Sequence, residues 1–213
     1  MVPGAQTGVI GILDIDMGNL RSVSKAVYEL GFDFTLVVRP AQLKDVTHLM
    51  IPGVGAYSTA MDHVDALELR APIRDFAAVG KPVLGICLGM QVLSTFGEEG
   101  GASHGLDLIP GSVSRLQPRG DLVLPHVGWN TTRFAVEHPV FRKVKNGLDF
   151  YFVHSYHFKC ADPAHLLATS DYGQDFAAIV GKANVLGFQF HPEKSQSNGL
   201  KLIENFCSWD GTC

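Results

Sequence analysis

Cys87 occupies the position expected of a nucleophile, on a turn between a strand and a helix. It lies between Gly85 and Gly89, after the apolar run 82–86 and before a helical pattern that begins at Leu88. Such a turn is tight, and larger side chains two residues away on either side would collide with neighbouring backbone. The positive end of the helix would favour the reactive thiolate, and the Leu88 amide would face a developing oxyanion. The alternative is a small buried cysteine in a glycine-rich strand end.

His191 is the best candidate for the base that such a thiol needs. It ends the apolar run 185–190 and is followed directly by Pro192 and Glu193. A residue before proline is held extended, and Glu193 can project to nearly the same side two residues further on. Its carboxylate would fix the imidazole tautomer and stabilise the imidazolium. Taken alone, such a sequence is more often a turn with a capping carboxylate.

A glycine-rich segment supplies the third feature of the predicted site. Gly53, Val54 and Gly55 follow the apolar run 47–51. Glycine allows backbone N–H groups to approach a developing oxyanion, although a plain turn explains the segment equally well. Because the carboxyl ends of parallel strands share one edge of a sheet, these residues can meet Cys87 and His191 there.

The elements that must position these residues alternate in type along the first half of the chain. Asn19 can cap a helix that Gly31 ends, and Pro72 is expected to break the longer helical stretch that follows. Alternation of this kind is typical of a parallel sheet covered on both faces. The pattern predicts strands at 9–15, 34–38, 47–51 and 82–86, and helices at 19–30 and 58–78.

The second half is expected to extend the sheet with mostly antiparallel strands. A helix at 88–96 and a loop at 97–105 lead into a series of short apolar runs and a closing helix at 197–209. We predict one α/β domain over residues 8–209, with a mixed, mainly parallel sheet, helices on both faces, and flexible ends at 1–7 and 210–213. The predicted strands of this half are 113–116, 122–124, 150–158, 166–169, 177–180 and 185–190.

Composition and charge exclude several functional classes. Apolar residues make up 46% of the 213 residues, so the chain can bury a core and is not disordered. A formal charge of −4 without a basic stripe argues against nucleic acid and anionic lipid as partners. The four cysteines lack zinc or redox spacing, and no signal or membrane-spanning segment is evident, so a cytoplasmic location is expected. His154 and His157 are poorly spaced for a shared metal ion.

These motifs together resemble the class I, or triad, glutamine amidotransferases, in which the cysteine turn and the His-Pro-Glu sequence are the defining pair. The resemblance implies a flavodoxin-like fold. More narrowly, the chain is similar to the glutaminase subunits of imidazole glycerol phosphate synthases. That similarity rests on an ordered set of motifs at 16–20, 51–55, 97–100, 125–130, 151–156 and 187–195.

The resemblance implies a reaction and a role for each site residue. Cys87 would attack the side-chain amide of glutamine, forming a thioester and releasing ammonia, and water would then release glutamate. His191 would serve as acid and then base, oriented by Glu193. The backbone of Gly53, Val54 and Leu88 would stabilise the oxyanion. Glutamine itself would be bound by Gly55, Gln91, Glu98, Ser155 and Tyr156.

The resemblance also implies a partner. Ammonia would pass through an internal channel to a (β/α)₈-barrel cyclase, bound as a heterodimer, in histidine biosynthesis. No cofactor or metal is expected. Another class I glutaminase subunit, a stand-alone γ-glutamyl cysteine hydrolase and a catalytically dead binding module are the alternatives. The partner would bind near Asn19, Trp129, Tyr151 and Lys194.

Overall fold

A large mixed sheet and a small second sheet form the framework of the protein. The computed structural model describes residues 8–212. Residues 1–7 and 213, which make up most of the two ends predicted to be flexible, lie outside the described part. Within the described residues there are thirteen strands. They are β1 (Ile10–Leu13), β2 (Phe34–Val37), β3 (His48–Gly53), β4 (Val83–Cys87), β5 (Phe96–Gly97), β6 (Ser103–His104), β7 (Gly111–Arg115), β8 (His126–Phe134), β9 (Leu148–His154), β10 (Tyr156–Cys160), β11 (Leu166–Asp171), β12 (Asp175–Lys182) and β13 (Val185–Phe188).

The large sheet is parallel at one end and antiparallel at the other. Over residues 8–212 its order is β2-β1-β3-β4-β13-β12-β11-β8-β9. The pairings from β2 to β13 are parallel, and those from β13 to β9 are antiparallel. Strands β1, β4 and β13 are buried along their whole length, as expected where helices cover both faces. The predicted α/β fold with an antiparallel extension is confirmed.

Helices cover both faces of the large sheet. Helices α1 and α5 pack into one apolar core, which contains Val27 and Phe206, while α2 and α3 pack into the other, which contains Met61 and Ile73. Each of these helices buries one face, as its apolar spacing requires. The helices are α1 (Leu20–Glu29), α2 (Tyr57–Ala66), α3 (Arg70–Ala78), α4 (Leu88–Gln91) and α5 (Gln196–Cys207).

Two predicted helices differ from the observed ones. The stretch 58–78 breaks between α2 and α3, where Glu68 has φ 55°, and not at Pro72. Pro72 lies in the first turn of α3, where a missing N–H costs nothing because the first amides of a helix have no intrahelical partner. The helix predicted at 88–96 is the single turn α4, and the predicted loop 97–105 contains β6.

The strand predictions for the second half need two corrections. The run 150–158 is two strands in different sheets, because the chain leaves the large sheet at Ser155 and continues as β10. The run 122–124 is not a strand, and the long strand β8 that follows it was not predicted. The usual alternation is reversed in β8, where His126 is buried while Val127 is 57% exposed. The apolar pattern therefore gave no signal for β8.

Candidate active site

The turn at Cys87 has the strained geometry that its sequence predicts. Cys87 ends β4 with φ 56° and ψ −111°, outside the usual conformations of a residue with a side chain. A Cβ on Gly85 would collide with the Gly89 carbonyl, and one on Gly89 with the Ile51 carbonyl. Only glycine fits at either position. Because α4 is a single turn, its dipole would stabilise a thiolate at Cys87 less than the dipole of a long helix would.

His191 and Glu193 form a buried pair beside Cys87. His191 Nδ1 lies 2.8 Å from Glu193 Oε1, and the exposed fractions of the two side chains are 1% and 0%. The backbone is fixed as well, because the His191 amide donates to the Tyr151 carbonyl at 2.9 Å and Ser195 Oγ donates to the His191 carbonyl at 2.7 Å. With Nδ1 engaged, Nε2 is the ring nitrogen available to Cys87.

The surroundings of His191 favour its charged form. Burial alone would lower its pKa, but hydrogen bonds and electrostatic interactions with Cys87 and Glu193 raise that pKa to about 9. The ring therefore holds its second proton at neutral pH and is hydrogen-bonded to the sulfur. The structure thus brings together Cys87 and His191, which lie about half the length of the chain apart in the sequence.

Asn19 lies at the same site, where it contacts Glu193. Asn19 is the N-cap residue of α1, as predicted, but its side chain makes no capping hydrogen bond to that helix. Asn19 has φ 65°, a left-handed conformation that asparagine tolerates, and its Nδ2 donates to Glu193 Oε1 at 2.6 Å. Asn19 and His191 therefore both bond to the same carboxylate oxygen, Oε1 of Glu193.

The glycine-rich segment lies next to Cys87, but one of its predicted donors is already engaged. Gly53 pairs with Cys87 in the ladder between β3 and β4. The Val54 amide donates to the Met17 carbonyl at 2.8 Å. In this arrangement the N–H of Val54 does not face an oxyanion beside the sulfur.

A cavity of about 280 Å³ opens over Cys87 and His191. Four of the five residues predicted to bind glutamine line it, namely Gly55, Gln91, Ser155 and Tyr156. Glu98 does not line this cavity and is exposed, whereas its neighbour Glu99 does line it. Burial raises the pKa of the Glu99 carboxyl, and a hydrogen bond with the Tyr57 backbone opposes that shift. The structure thus puts the neighbouring carboxylate at the cavity wall.

Gln189, which was not predicted as a site residue, contacts Cys87. Gln189 is fully buried, its Nε2 lies 3.9 Å from Cys87 Sγ, and its Oε1 accepts a hydrogen bond from Gln91 Nε2 at 3.1 Å. Gln91 Nε2 also donates to the Tyr156 carbonyl at 3.0 Å. A glutamine inside an otherwise apolar strand end was the available signal, since a buried amide needs partners.

Two of the four residues predicted to contact a partner lie on β8 and β9, and the other two, Asn19 and Lys194, lie before α1 and directly after Glu193. Trp129 is 49% exposed, and its ring centroid is 6.0 Å from that of Tyr151. Lys194 is also exposed and follows Glu193 directly. An exposed tryptophan beside a tyrosine is typical of protein interfaces.

Three further observations concern the described part of the chain only. Cys87, Cys160 and Cys207 are free thiols. Among residues 8–212, no three His, Cys, Asp or Glu side chains are grouped so that they could hold a metal ion. None of the helices seen there combines the length and apolar character that crossing a bilayer requires.

Known proteins are similar to this chain over most of its length. Residues 12–208 match the family described as glutamine amidotransferase class-I. The chain is 44% identical to the imidazole glycerol phosphate synthase subunit HisH of Moorella thermoacetica, over 92% of this chain and 93% of the relative. It is 42% identical to the HisH subunit of Bacillus subtilis, over 93% and 95%.

Solved structures share the fold at low sequence identity. A crystal structure of a glutamine amidotransferase is similar with a TM-score of 0.75 and 19% identity, covering 96% of this chain and all of the other. The structure of PurLQS from Thermotoga maritima is similar with a TM-score of 0.75 and 17% identity, covering 95% of this chain and 98% of the matched one.

Proposed function

The chain belongs to the class I glutamine amidotransferases, and from this premise we propose that it is the glutaminase subunit of an imidazole glycerol phosphate synthase. The observation that carries the glutaminase chemistry is the buried pair of His191 and Glu193, hydrogen-bonded to Cys87 at the wall of a small cavity. The relatives are named as subunits of imidazole glycerol phosphate synthase, and these names support the proposal of that synthase.

In the first half of the reaction, the thiolate of Cys87 attacks the side-chain amide carbon of glutamine. His191, protonated at neutral pH, gives a proton to the departing nitrogen as the carbon–nitrogen bond breaks. The products of this step are ammonia and a γ-glutamyl thioester on Cys87. Glu193 keeps His191 oriented and stabilises its charge through the 2.8 Å contact.

In the second half, the now neutral His191 takes a proton from water, and the resulting hydroxide attacks the thioester carbon. The carbon–sulfur bond breaks and Cys87 returns as the thiolate beside the imidazolium. The new γ-carboxyl group loses its proton to solvent, and glutamate leaves. Both halves pass through an oxyanion, for which we assign the backbone N–H groups around Gly53, Val54 and Leu88. The amino-acid end of glutamine is assigned to Gly55, Gln91, Ser155 and Tyr156, with Glu99 in the place expected for Glu98.

The partner we propose is a (β/α)₈-barrel cyclase that binds around Asn19, Trp129, Tyr151 and Lys194 and receives the ammonia. The hydrogen bond from the Val54 amide to the Met17 carbonyl supports a partner-dependent activity, because this donor must be released before it can stabilise an oxyanion. Met17 is two residues from Asn19, within the proposed interface. This observation favours a glutaminase subunit over a stand-alone γ-glutamyl hydrolase. We also propose a cytoplasmic location.

The proposal is tested by measuring glutamate release from glutamine with and without the cognate barrel cyclase. We expect feeble turnover by the isolated chain, stimulation by the cyclase, formation of imidazole glycerol phosphate from glutamine, and no turnover by Cys87→Ala. Cys160→Ala is the matched control, because this thiol lies away from the cavity over Cys87 and should be dispensable. Robust hydrolysis by Cys87→Ala would refute the chemistry, and failure to support the cyclase reaction would refute the choice of synthase.

A further inference from the structure

Two buried histidines that the proposed reaction does not use face each other across β8 and β9. His126 and His154 are directly opposite in the antiparallel ladder, and their exposed fractions are 3% and 6%. The distance from His126 Nδ1 to His154 Nε2 is 3.0 Å. Polar groups this deeply buried are costly unless every hydrogen-bonding atom has a partner.

The partners of the two rings fix where their protons are. His154 Nδ1 lies 2.8 Å from the Tyr156 carbonyl, which can only accept, so this nitrogen carries the proton. In the neutral ring Nε2 must then accept, which makes His126 Nδ1 the donor across the pair. His126 Nε2 in turn accepts from Asn130 Nδ2 at 3.3 Å. The chain of hydrogen bonds runs in one direction, from Asn130 through both rings to the Tyr156 carbonyl.

The surroundings keep both rings neutral. Burial lowers the pKa of His126 to about 4 and, as the largest of several causes, lowers that of His154 to about 3. The His126 ring is stacked between Tyr172 and Phe152, with centroid distances of 4.1 Å and 5.2 Å. Stacking on two rings leaves His126 little freedom to rotate, so the direction of its Nδ1–H is fixed.

The hydrogen-bond chain ends on the segment that forms one wall of the cavity. Residues 153–156 all line the cavity. The Val153 carbonyl is 3.7 Å from Cys87 Sγ, and the Tyr156 carbonyl accepts from both His154 and Gln91. Within this segment the chain crosses from the large sheet to the small one at Ser155, the one residue of the four that pairs in neither ladder.

We propose that His126 and His154 are positioning residues, a neutral pair with protons on both Nδ1 atoms that holds the 153–156 wall in the geometry that binds glutamine. The proposal rests on the proposed function, because the ligand of the cavity is taken to be glutamine. His154 is itself part of this wall, whereas His126 acts only through His154. Asn130, at the outer end of this series of hydrogen bonds, is anchored by its 2.7 Å hydrogen bond to the Asp171 carbonyl.

The first experiment compares three variants by steady-state glutamine hydrolysis in the complex with the cyclase. His126→Phe keeps an aromatic ring in the stack but leaves His154 Nε2 without a donor. His126→Asn supplies an amide nitrogen near the place of Nδ1. Thr132→Val is the matched control, because it removes another buried hydrogen bond of β8, the 3.1 Å contact to Ser170.

We expect His126→Phe to raise KM for glutamine at least tenfold with less than a threefold change in kcat, and His126→Asn to restore KM to within about threefold of wild type. Thr132→Val should lower the melting temperature without changing KM. If His126→Phe and Thr132→Val have the same KM, the pair is merely structural and the proposal is overturned. If His126→Phe does not fold, Asn130→Ala is the substitute, with an expected KM increase of two- to fivefold. An unchanged KM in Asn130→Ala would overturn the proposal.

The second experiment does not depend on glutamine. Long-range ¹H–¹⁵N spectra of the ¹⁵N-histidine-labelled full chain at neutral pH, assigned with His126→Phe, report which ring nitrogen carries the proton. Two neutral rings with Nδ1–H are expected, and an Nε2–H tautomer or an imidazolium at either position would overturn the proposal. Absence of glutamine turnover in the wild-type complex would instead refute the proposed function, so the two failures are distinguishable.

Discussion

The two sides of Cys87 differ in how completely they are assembled. On one side, His191 and Glu193 are buried, lie 2.8 Å apart and are held further by Asn19. On the other side, the backbone of 53–55 is adjacent to the cysteine, but the Val54 N–H is bonded to the Met17 carbonyl. The side chains proposed to move protons are in place, whereas a backbone N–H proposed to stabilise the oxyanion is bonded elsewhere.

This difference indicates where the activity of the chain is limited. A preassembled triad makes the sulfur reactive, but a tetrahedral intermediate also needs donors aimed at its oxygen. Chemistry that needs only the thiolate, such as alkylation of Cys87, should therefore proceed without the Val54 amide. Glutamine hydrolysis should require it.

The largest expected effect follows from removing the proton carrier. His191→Asn leaves a side chain that cannot act as general acid or base, so glutamine turnover in the complex should fall by about 10⁴-fold. His104→Asn, on an exposed histidine, is the control and should retain full turnover. Steady-state glutamate release checks both variants, with thermal unfolding to show that they are folded. Turnover within tenfold of wild type in His191→Asn would remove it from the mechanism.

The next largest effect tests the backbone of residues 53–55, on the other side of Cys87. Val54→Pro deletes the N–H itself, and loss of one oxyanion donor typically costs about 10²- to 10³-fold in kcat. Val54→Ala keeps the N–H and should change kcat by less than about threefold on the same reasoning. The rate of Cys87 alkylation by iodoacetamide should be the same in both variants. Equal kcat values for the two variants would show that this amide is not an oxyanion donor.

A smaller effect is expected on stability, at the turn that both sides share. Gly89→Ala would drive a Cβ into the Ile51 carbonyl, and overpacking against fixed backbone should cost about 3 kcal/mol of unfolding free energy. Gly80→Ala is the control, since Gly80 has φ 85° but no atom near its missing Cβ, and about 1 kcal/mol is expected. Urea denaturation measures both values. Equal losses of unfolding free energy in the two variants would mean that the turn at Cys87 can relax around the added Cβ.

The smallest effect concerns the charge on His191. Because its pKa is raised from 6.5 to about 9, its extra proton stabilises the fold fully below pH 6.5, and that contribution is lost as the pH rises through about 9. Glu193→Gln removes one of the negative charges responsible, so the pKa should fall from about 9 toward 6.5. The alkaline limit of kcat/KM should move to lower pH with it.

The pH profile of the Glu193→Gln complex, together with an NMR titration of His191, measures this shift. The matched control is Glu204→Gln, which changes a half-exposed carboxylate on α5. An unchanged His191 pKa in Glu193→Gln would mean that Cys87 alone sustains the charged ring. A shift in Glu204→Gln of the same size would mean that the effect is not specific to the pair.

The sequence determined the features that depend on neighbours in the chain. The requirement for Gly85 and Gly89 follows from the sterics of one turn, and the extended backbone at His191 follows from the proline after it. The alternating apolar runs predicted a sheet with parallel strands, and because the carboxyl ends of such strands share one edge, Cys87 and His191 could meet there. These inferences need only local geometry and the periodicity of side chains.

Only the tertiary structure decided which distant polar groups meet. The side chain of Asn19 could have capped its helix, but it donates to Glu193, far away in the chain, because the turn at 16–19 packs against that carboxylate. Glu99 rather than Glu98 lines the cavity, and β8 buries His126 where an apolar residue is usual. Hydrogen bonds between residues so far apart leave no periodic trace in the sequence, since each depends on how whole elements pack together.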